Sequence, residues 1–324
     1  MDILFIRLAR LGTFLAFFVI FIGAWVRLTD AGLGCPDWPG CYGNLLVPSS
    51  TEEIASLIYS YPERPFDSGK AWREMIHRYL ATLLGLVCLS LLIVAFINRR
   101  SPNQKVFLPS LLFFTVIFQG MLGMWTVTLL LKPIVVMLHL LGGLTTLSIL
   151  SWLSRWKAPH KMAPAPIKKI ALVSFVILIF QISLGGWTSS NYAALSCPDF
   201  PTCQSSWWPP IMDFKEGFVL WRGIGIDYEG GVLEHPARVA IHFSHRLGAI
   251  ITAIFLGLLV FKLFSFPKTR VDGFFILIAL IAQISLGISV ILFGIPLFIA
   301  VAHNAVAALL LLTVLNVNQR INNL

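Results

Sequence analysis

Four histidines occur as two matched pairs whose residue type and spacing could hold an iron cofactor. His77 recurs as His245 at an offset of 168 residues, and His139 recurs as His303 at an offset of 164. All four lie in apolar stretches, where an ionisable side chain is costly and usually functional. Imidazole is a standard axial ligand of heme iron, and a helix bundle can present two imidazoles to opposite faces of one macrocycle. The pairs therefore predict heme rather than zinc, which needs further ligands, with hydrogen bonding between helices as the alternative.

Charged and polar residues flank the first histidine of each pair. Arg78 and Arg246 follow it directly, where a guanidinium can pair with a carboxylate such as a heme propionate or extend to lipid headgroups. Glu74 and His242 precede it by three residues, a spacing that places them on the same helical face. Glu74 could shuttle protons at the mouth of an apolar pocket, or it could be a solvated carboxylate that favours the positive helix end. Because the two halves carry different residues at this position, we expect the two histidine pairs to have different functions.

These residues must be positioned by helices that cross a membrane. Hydrophobic residues make up 57% of the 324-residue chain, charged residues only 12%, and the mean hydropathy is +0.83. A bilayer core requires about 20 apolar residues of each helix, and lipid offers no partner to an unpaired backbone group. The predicted fold class is an all-α integral membrane protein with eight transmembrane helices. The eight segments are 11–29, 75–97, 106–131, 134–153, 170–188, 239–264, 274–293 and 295–317.

The distribution of charge predicts the orientation of these helices. Eight spans place both termini on one side, together with the loops 98–105, 154–169 and 262–272. That side holds fourteen of the 24 Lys and Arg residues but only two of the 15 acidic residues. Basic short loops stay in the cytoplasm, so we expect a multi-pass protein of a bacterial-type inner membrane with both termini cytoplasmic. The net charge of +9 is then a topology signal, and we expect no binding of nucleic acid.

Four landmarks recur along the chain at a nearly constant offset. Besides the two histidine pairs, the segment 34–41 recurs at 196–203, and 119–123 recurs at 283–287. Four spans separate equivalent points, so both halves have the same orientation, as in other parallel membrane repeats. We therefore predict two pseudo-symmetric four-helix bundles joined by a linker within 154–169. The N-terminal domain is 1–158 with the outer loop 30–73, and the C-terminal domain is 159–324 with the outer loop 189–238.

Four of the five cysteines lie in the two outer loops as Cys-x5-Cys pairs. The compartment outside the membrane is oxidising, and disulfides persist there. We therefore predict the disulfides Cys35–Cys41 and Cys197–Cys203. The alternative is a reactive or metal-binding thiol pair, although no further metal ligand stands beside either pair. Cys88, in the middle of a helix, is expected to fill a small apolar space.

The combination of these motifs resembles the heme A synthase family over essentially the whole chain. The resemblance rests on the repeated four-helix halves, the outer Cys-x5-Cys loops, the Glu74-x-x-His77-Arg78 motif and the histidines at 139, 245 and 303. It implies an oxidoreductase that converts heme O to heme A for terminal oxidases. In that family a methyl substituent of the porphyrin is oxidised to a formyl group through two hydroxylations and loss of water.

The resemblance also implies roles for individual residues. His245 and His303 would ligate the iron of a resident heme b, and His77 and His139 would hold the substrate heme O. Glu74 would be the catalytic residue. The resemblance further implies that the protein lies in the lipid bilayer, passes electrons to an acceptor and receives heme O transiently from heme O synthase.

Two other functions fit the same histidine pairs. A bis-histidine membrane cytochrome would pass electrons from quinol without altering a heme, and a heme transporter or chaperone would use the histidines as transient ligands. The difference between Glu74 and His242 and the outer cysteine loops favour the synthase. Extraction of the bound pigment separates these functions, because a pure electron carrier would yield heme b alone.

Overall fold

The computed structural model describes residues 3–100, 106–155 and 164–321, which fold into helices joined by loops. Half of the predicted linker and part of the loop 98–105 therefore lie outside the described residues. A short 3-10 helix, Pro267–Thr269, precedes the ninth α-helix. The α-helices of the described residues are α1 (Ile3–Leu28), α2 (Thr51–Ser60), α3 (Ser68–Ile97), α4 (Phe107–Thr128), α5 (Pro133–Ser154), α6 (Ala165–Ser190), α7 (Phe214–Gly217), α8 (His235–Phe264), α9 (Arg270–Leu292) and α10 (Leu297–Ile321).

Eight of these helices are long and apolar enough to cross a membrane, which confirms the predicted all-α multi-pass fold class. They are α1, α3, α4, α5, α6, α8, α9 and α10. Several begin earlier than predicted, and α3 begins at Ser68 instead of residue 75. The Asp67 carboxylate caps α3 by accepting the Lys70 N–H at 2.9 Å, and this bond lowers the pKa of Asp67. Hydropathy locates only the apolar part of a helix, whereas local capping fixes its polar first turns.

Helix packing divides the chain into two compact units. The first contains the chain up to Ser154 together with Trp221–Val232, and the second contains Arg155–Leu220 and the chain from Leu233 onwards. In the first unit, α1 and α4 each pack against α3 and α5, which closes a ring of four helices. In the second unit, α6 and α9 each pack against α8 and α10. Each unit therefore surrounds its own pair of predicted ligand histidines with four spans.

The segment Trp221–Val232 belongs to the first unit although it lies far along the chain. The Arg64 guanidinium donates to the Asp227 carboxylate at 2.5 Å and to the Glu229 carboxylate at 2.7 Å. Tyr228 is only 2% exposed and packs among apolar side chains of the same unit. Ion pairs and a buried aromatic ring together hold the segment in place.

Candidate functional site

The four predicted ligand histidines lie inside spans of the two units. In the first unit, His77 lies nine residues into α3 and His139 six residues into α5. In the second unit, His245 lies ten residues into α8 and His303 six residues into α10. The first histidine of each pair is thus farther from its helix start than expected, because α3 and α8 begin early. Within each unit the two histidines lie on opposite helices of one four-helix ring, on α3 and α5 in the first unit and on α8 and α10 in the second.

Each of the four imidazoles packs against a glycine on a neighbouring helix. A Cβ atom added at Gly23 of α1 would lie 2.9 Å from Cε1 of His77, and one at Gly123 of α4 would lie 3.4 Å from Cε1 of His139. In the second unit the contacting residues are the glycines of α6 and α9. A Cβ at Gly185 would lie 3.1 Å from Cε1 of His245, and one at Gly287 would lie 3.0 Å from Cε1 of His303. We call these four glycines the histidine seats, because each lies against a ring. A Cβ would displace the ring at Gly23, Gly185 and Gly287, and at Gly123 it would make ordinary van der Waals contact.

The donor chemistry of each pair fits a heme. Nδ1 of His77, His139 and His303 is buried and has no hydrogen-bond partner within the described residues. A buried polar atom without a partner costs about 1–3 kcal/mol, so these nitrogens indicate a missing ligand. No cluster of three or more His, Cys, Asp or Glu side chains in the described part of the chain could hold a bare metal ion. Two imidazoles suffice for heme iron, because the macrocycle supplies the other four ligands.

Three glutamines lie beside the predicted ligand histidines, each four residues before a seat glycine. Nε2 of Gln181 lies 3.0 Å from Nδ1 of His245 and donates to the carbonyl of the same residue at 3.0 Å. Nε2 of Gln283 lies 3.2 Å from Nε2 of His303. Gln119 differs, because its amide donates at 2.7 Å to the main-chain carbonyl of His139 and not to the ring.

Glu74 is buried in the first unit, with 5% of its surface exposed. One carboxylate oxygen accepts the Cys35 N–H at 2.8 Å, and the other accepts the Arg78 guanidinium at 2.5 Å. The carboxylate is therefore not a solvated group at a helix start, since it lies six residues into α3 and has two fixed donors. It remains on the same helical face as His77, three residues away.

His242 occupies the corresponding place in the second unit. It is 3% exposed, and its Nδ1 accepts the Cys197 N–H at 3.3 Å. Nε of Arg246 lies 3.3 Å from the other ring nitrogen. Both units thus connect the disulfide loop to the residue three positions before the histidine, through a carboxylate in one and an imidazole in the other.

The two arginines predicted as propionate ligands contact the disulfide loops. Nη1 of Arg78 donates to the carbonyl of Asp37 at 3.0 Å and also contacts the carbonyl of Gly40. Arg246 donates to the carbonyls of Thr202 at 2.6 Å and Cys197 at 2.7 Å. The structure therefore gives both guanidinium groups a role in fixing the loops, and propionate binding stays a prediction.

Both predicted disulfides are formed. Cys35 and Cys41 are linked with their Cα atoms 4.8 Å apart, and Cys197 and Cys203 are linked with theirs 4.6 Å apart. Cys88 is a free, buried thiol, as expected. Each disulfide closes the loop whose first cysteine donates its N–H to Glu74 or to His242, so the covalent bridge stabilises the position of that donor.

The sequence reasoning missed the seats in α1 and α6. Gln119 and Gly123 were already recognised as a repeated pair, together with their counterparts in α9. The same spacing also occurs at 181–185, where QISLG is identical to the segment at 283–287. That identity was the available signal for Gln181 and Gly185. At Gly23 no glutamine precedes the glycine, since Val19 stands four residues before it.

Comparison with known proteins gives a consistent result over nearly the whole chain. Residues 7–315 match the COX15-CtaA family, described as cytochrome oxidase assembly protein. A Shewanella oneidensis protein named heme A synthase is 44% identical over 316 residues, which cover 96% of this chain and 94% of the relative. Proteins of the same name from Rhizorhabdus wittichii and Flavobacterium psychrophilum are each 27% identical. The first comparison covers 93% of this chain and 89% of the relative, and the second covers 93% of both.

These matches confirm the resemblance that the motifs indicated. The matched region begins within α1 and ends within α10, so it includes six spans whole, most of the other two, both disulfide loops and all four histidine seats. This chain belongs to the COX15-CtaA family of cytochrome oxidase assembly proteins.

Proposed function

We propose that this chain is a heme A synthase, an oxidoreductase that oxidises a methyl group of heme O to the formyl group of heme A. The observation that carries the proposal is the presence of two imidazoles on opposite helices of each four-helix ring, every one of them packed against a seat glycine. The family match and the names of the relatives support it. The chemistry requires a place for a substrate heme and a place for a redox cofactor, and the chain offers two such places.

The two units hold different hemes in this proposal. His245 and His303 ligate a resident heme b, which supplies one-electron redox chemistry when bound. His77 and His139 hold the substrate heme O. The difference beside the histidines supports this division, because the Glu74 carboxylate can take up a proton. His242, in contrast, has donors facing both of its ring nitrogens.

Glu74 is the catalytic residue of the proposal, and its contacts explain how it would act. The Cys35 N–H and the Arg78 guanidinium each occupy one carboxylate oxygen. A carboxylate has about four lone-pair positions, so at least one stays free to receive a proton. The two donors fix the carboxylate on the His77 face of α3, and a proton released from the substrate methyl group would bind at Oε1 or Oε2. Positioned groups of this kind contribute about 10²- to 10⁴-fold to a rate.

The proposed location is a bacterial-type inner membrane with both termini in the cytoplasm. The bias of basic residues supports this orientation. It places the loops with the two disulfides in the oxidising outer compartment, where such bonds persist. Heme O synthase as a donor of substrate and a separate electron acceptor complete the proposal.

The decisive experiment combines pigment extraction with single substitutions. The purified protein should contain heme b together with heme O, a hydroxylated intermediate or heme A. His245→Ala and His303→Ala should lose heme b, whereas His77→Ala and His139→Ala should keep it and form no heme A. Glu74→Gln keeps the size of the side chain but not the titratable proton, so it should keep heme b and stall oxidation.

The opposite results have clear meanings. Loss of heme b in the two first-unit variants, with retention in the two second-unit variants, would show that the assignment of the units is reversed. A wild-type protein that contains heme b alone, in a host that makes heme O, would favour the electron-carrying cytochrome.

A further inference from the structure

Both disulfide loops carry two exposed bulky apolar residues at equivalent positions. Leu45 and Leu46 follow the second cysteine of the first loop by four and five residues, and Trp207 and Trp208 follow that of the second loop in the same way. Their exposed fractions are 79% and 64% in the first loop and 75% and 64% in the second. We call these two pairs the apolar tips. Exposed apolar groups that recur in both units indicate an interaction surface.

The turn that precedes the first tip is rigid. Cys41 and Asn44 exchange two main-chain hydrogen bonds, at 2.7 and 3.1 Å. The Asp37 carboxylate accepts the N–H groups of Tyr42 and Gly43, the two residues of the turn, at 2.6 and 2.9 Å. The disulfide closes the same loop, so the position of the tip is fixed from three directions.

The second loop repeats this construction. Cys203 and Ser206 exchange main-chain hydrogen bonds at 2.9 and 3.2 Å, and the Asp199 carboxylate accepts the N–H groups of Gln204 and Ser205 at 2.6 and 3.0 Å. A surface that is already ordered loses little conformational entropy when it binds. Both tips are therefore suited to contact a partner without rearrangement of the loop.

The first tip lies against the lipid-facing side of α3. The hydroxyl of Tyr79, eleven residues into this helix, donates to the main-chain carbonyl of Leu45 at 2.8 Å. Tyr79 belongs to a stripe of exposed side chains at helical spacing that includes Ile76, Leu83 and Leu86. Exposed apolar side chains on a membrane span face the acyl chains of the lipid. The tip therefore lies beside the part of α3 that contacts lipid.

The second tip contacts the apolar part of α8. The Trp208 ring packs edge-on against the ring of Phe243, with centroids 5.1 Å apart and an interplanar angle of 81°. Phe243 lies eight residues into α8, inside the apolar segment predicted from residue 239. Tryptophan is enriched at the boundary between membrane and water, because its ring is apolar and carries one polar N–H group.

We propose that the two apolar tips insert into the interfacial region of the lipid leaflet that adjoins the disulfide loops. Lipid is the occupant that fits both tips, since a leucine pair and a tryptophan pair differ in shape but both enter a fluid apolar layer. Insertion gives each loop a second attachment besides its contacts with the helices. The first cysteine of each loop donates its N–H to Glu74 or to His242, so this attachment also restrains those donors.

Fluorescent labels on single introduced cysteines test the depth of the tips in lipid nanodiscs. Leu46→Cys and Trp207→Cys report on the tips. Glu52→Cys and Lys215→Cys are matched references, because these charged residues of the same two loops are exposed. Ile250→Cys, at an exposed position in the middle of α8, is the reference for the acyl chains.

Lipids brominated near the headgroup should quench the tip labels several-fold more than the labels at the two charged positions. Lipids brominated in the middle of the acyl chain should quench the label at Ile250 more than the tip labels. The buried thiol of Cys88 is replaced by alanine in every variant, and circular dichroism confirms that helical content is kept. Tip labels that are quenched no more than the labels at Glu52 and Lys215 would show that the tips lie in water or on another protein, and would overturn the inference.

A conservative variant tests the second tip without a label. Trp207→Phe keeps an aromatic side chain, so the difference between the emission spectra of the parent and the variant isolates the emission of Trp207. That emission should be blue-shifted and should be quenched by lipids brominated near the headgroup. Emission typical of tryptophan in water, unaffected by either brominated lipid, would overturn insertion even if the cysteine variants failed to fold.

Discussion

The histidine seats lead to a quantitative prediction about heme affinity. At Gly287 an added Cβ would lie 3.0 Å from Cε1 of His303, and at Gly185 it would lie 3.1 Å from Cε1 of His245. Ordinary van der Waals contacts begin at 3.4 Å, so each ring must retreat by several tenths of an ångström in an alanine variant. In the proposed heme b site, a ring so displaced would be less well placed to bind iron.

The size of the effect follows from the cost of overpacking. Extra methyl groups in a packed interior typically cost about 1–3 kcal/mol. Because 1.4 kcal/mol corresponds to a tenfold change in affinity, Gly287→Ala and Gly185→Ala should bind heme b about 5- to 150-fold more weakly. Alanine also improves helix propensity by about 1 kcal/mol relative to glycine. The stability of the heme-free chain should therefore fall less than its affinity for heme.

Gly257 of α8 provides a matched control in the same unit. Nothing lies within 4 Å of a Cβ added there, so Gly257→Ala makes the same substitution within a membrane span without a clash. The assay is heme b per chain, measured as the pyridine hemochrome of purified protein, together with the rate of transfer to apomyoglobin. Heme content and transfer rates that are equal in all three variants would refute the idea that the glycines seat the ligand rings.

Four further predictions concern the loops and the orientation. Mass mapping without reduction should find Cys35 linked to Cys41 and Cys197 linked to Cys203, and free loop thiols would contradict the assignment. Cys35→Ser should lower heme A formation and leave heme b content unchanged, because a loop without its disulfide no longer fixes the N–H that Glu74 accepts. Unchanged heme A formation would show that the disulfide does not support Glu74. Tyr228→Phe should raise thermal stability, since the buried Tyr228 hydroxyl has no hydrogen-bond partner within the described residues. Its removal relieves a desolvation penalty of about 1 kcal/mol. A lower melting temperature would show that the hydroxyl forms a hydrogen bond. A reporter fused after residue 324 should be active only in the cytoplasm, and an active periplasmic fusion would reverse the proposed topology.

The contacts of Glu74 link α3 to the disulfide loop of the first unit. The carboxylate lies on α3, accepts the N–H of Cys35 in the disulfide loop and pairs with Arg78, whose other donors contact carbonyls of the same loop. A carboxylate buried in this way needs charge-assisted partners, because an unpaired buried charge is very costly. Arg78 of α3 and the Cys35 N–H of the disulfide loop together allow a carboxylate to exist beside His77.

The sequence by itself determined the class of the protein and the residues that are candidates for its chemistry. Eight apolar segments predict eight spans, because a bilayer accepts no unpaired backbone groups. The repeated spacing identified His77, His139, His245 and His303 as equivalent, and the Cys-x5-Cys motif predicted both disulfides. These features depend on local composition and on residues close in the chain, so spacing alone is sufficient to find them.

Only the tertiary structure decided which groups meet across helices. Hydrophobic periodicity shows that a helix has an inner face, but it does not identify the neighbour that the face contacts. The seat of His77 on Gly23 and the bond between Glu74 and the Cys35 N–H join residues that are 54 and 39 positions apart. The segment Trp221–Val232 packs on the first unit through Arg64, more than 150 residues earlier in the chain. Closing a long loop costs conformational entropy, and such contacts form where buried ion pairs and apolar packing offset that cost. Whether they do depends on the three-dimensional arrangement of the helices.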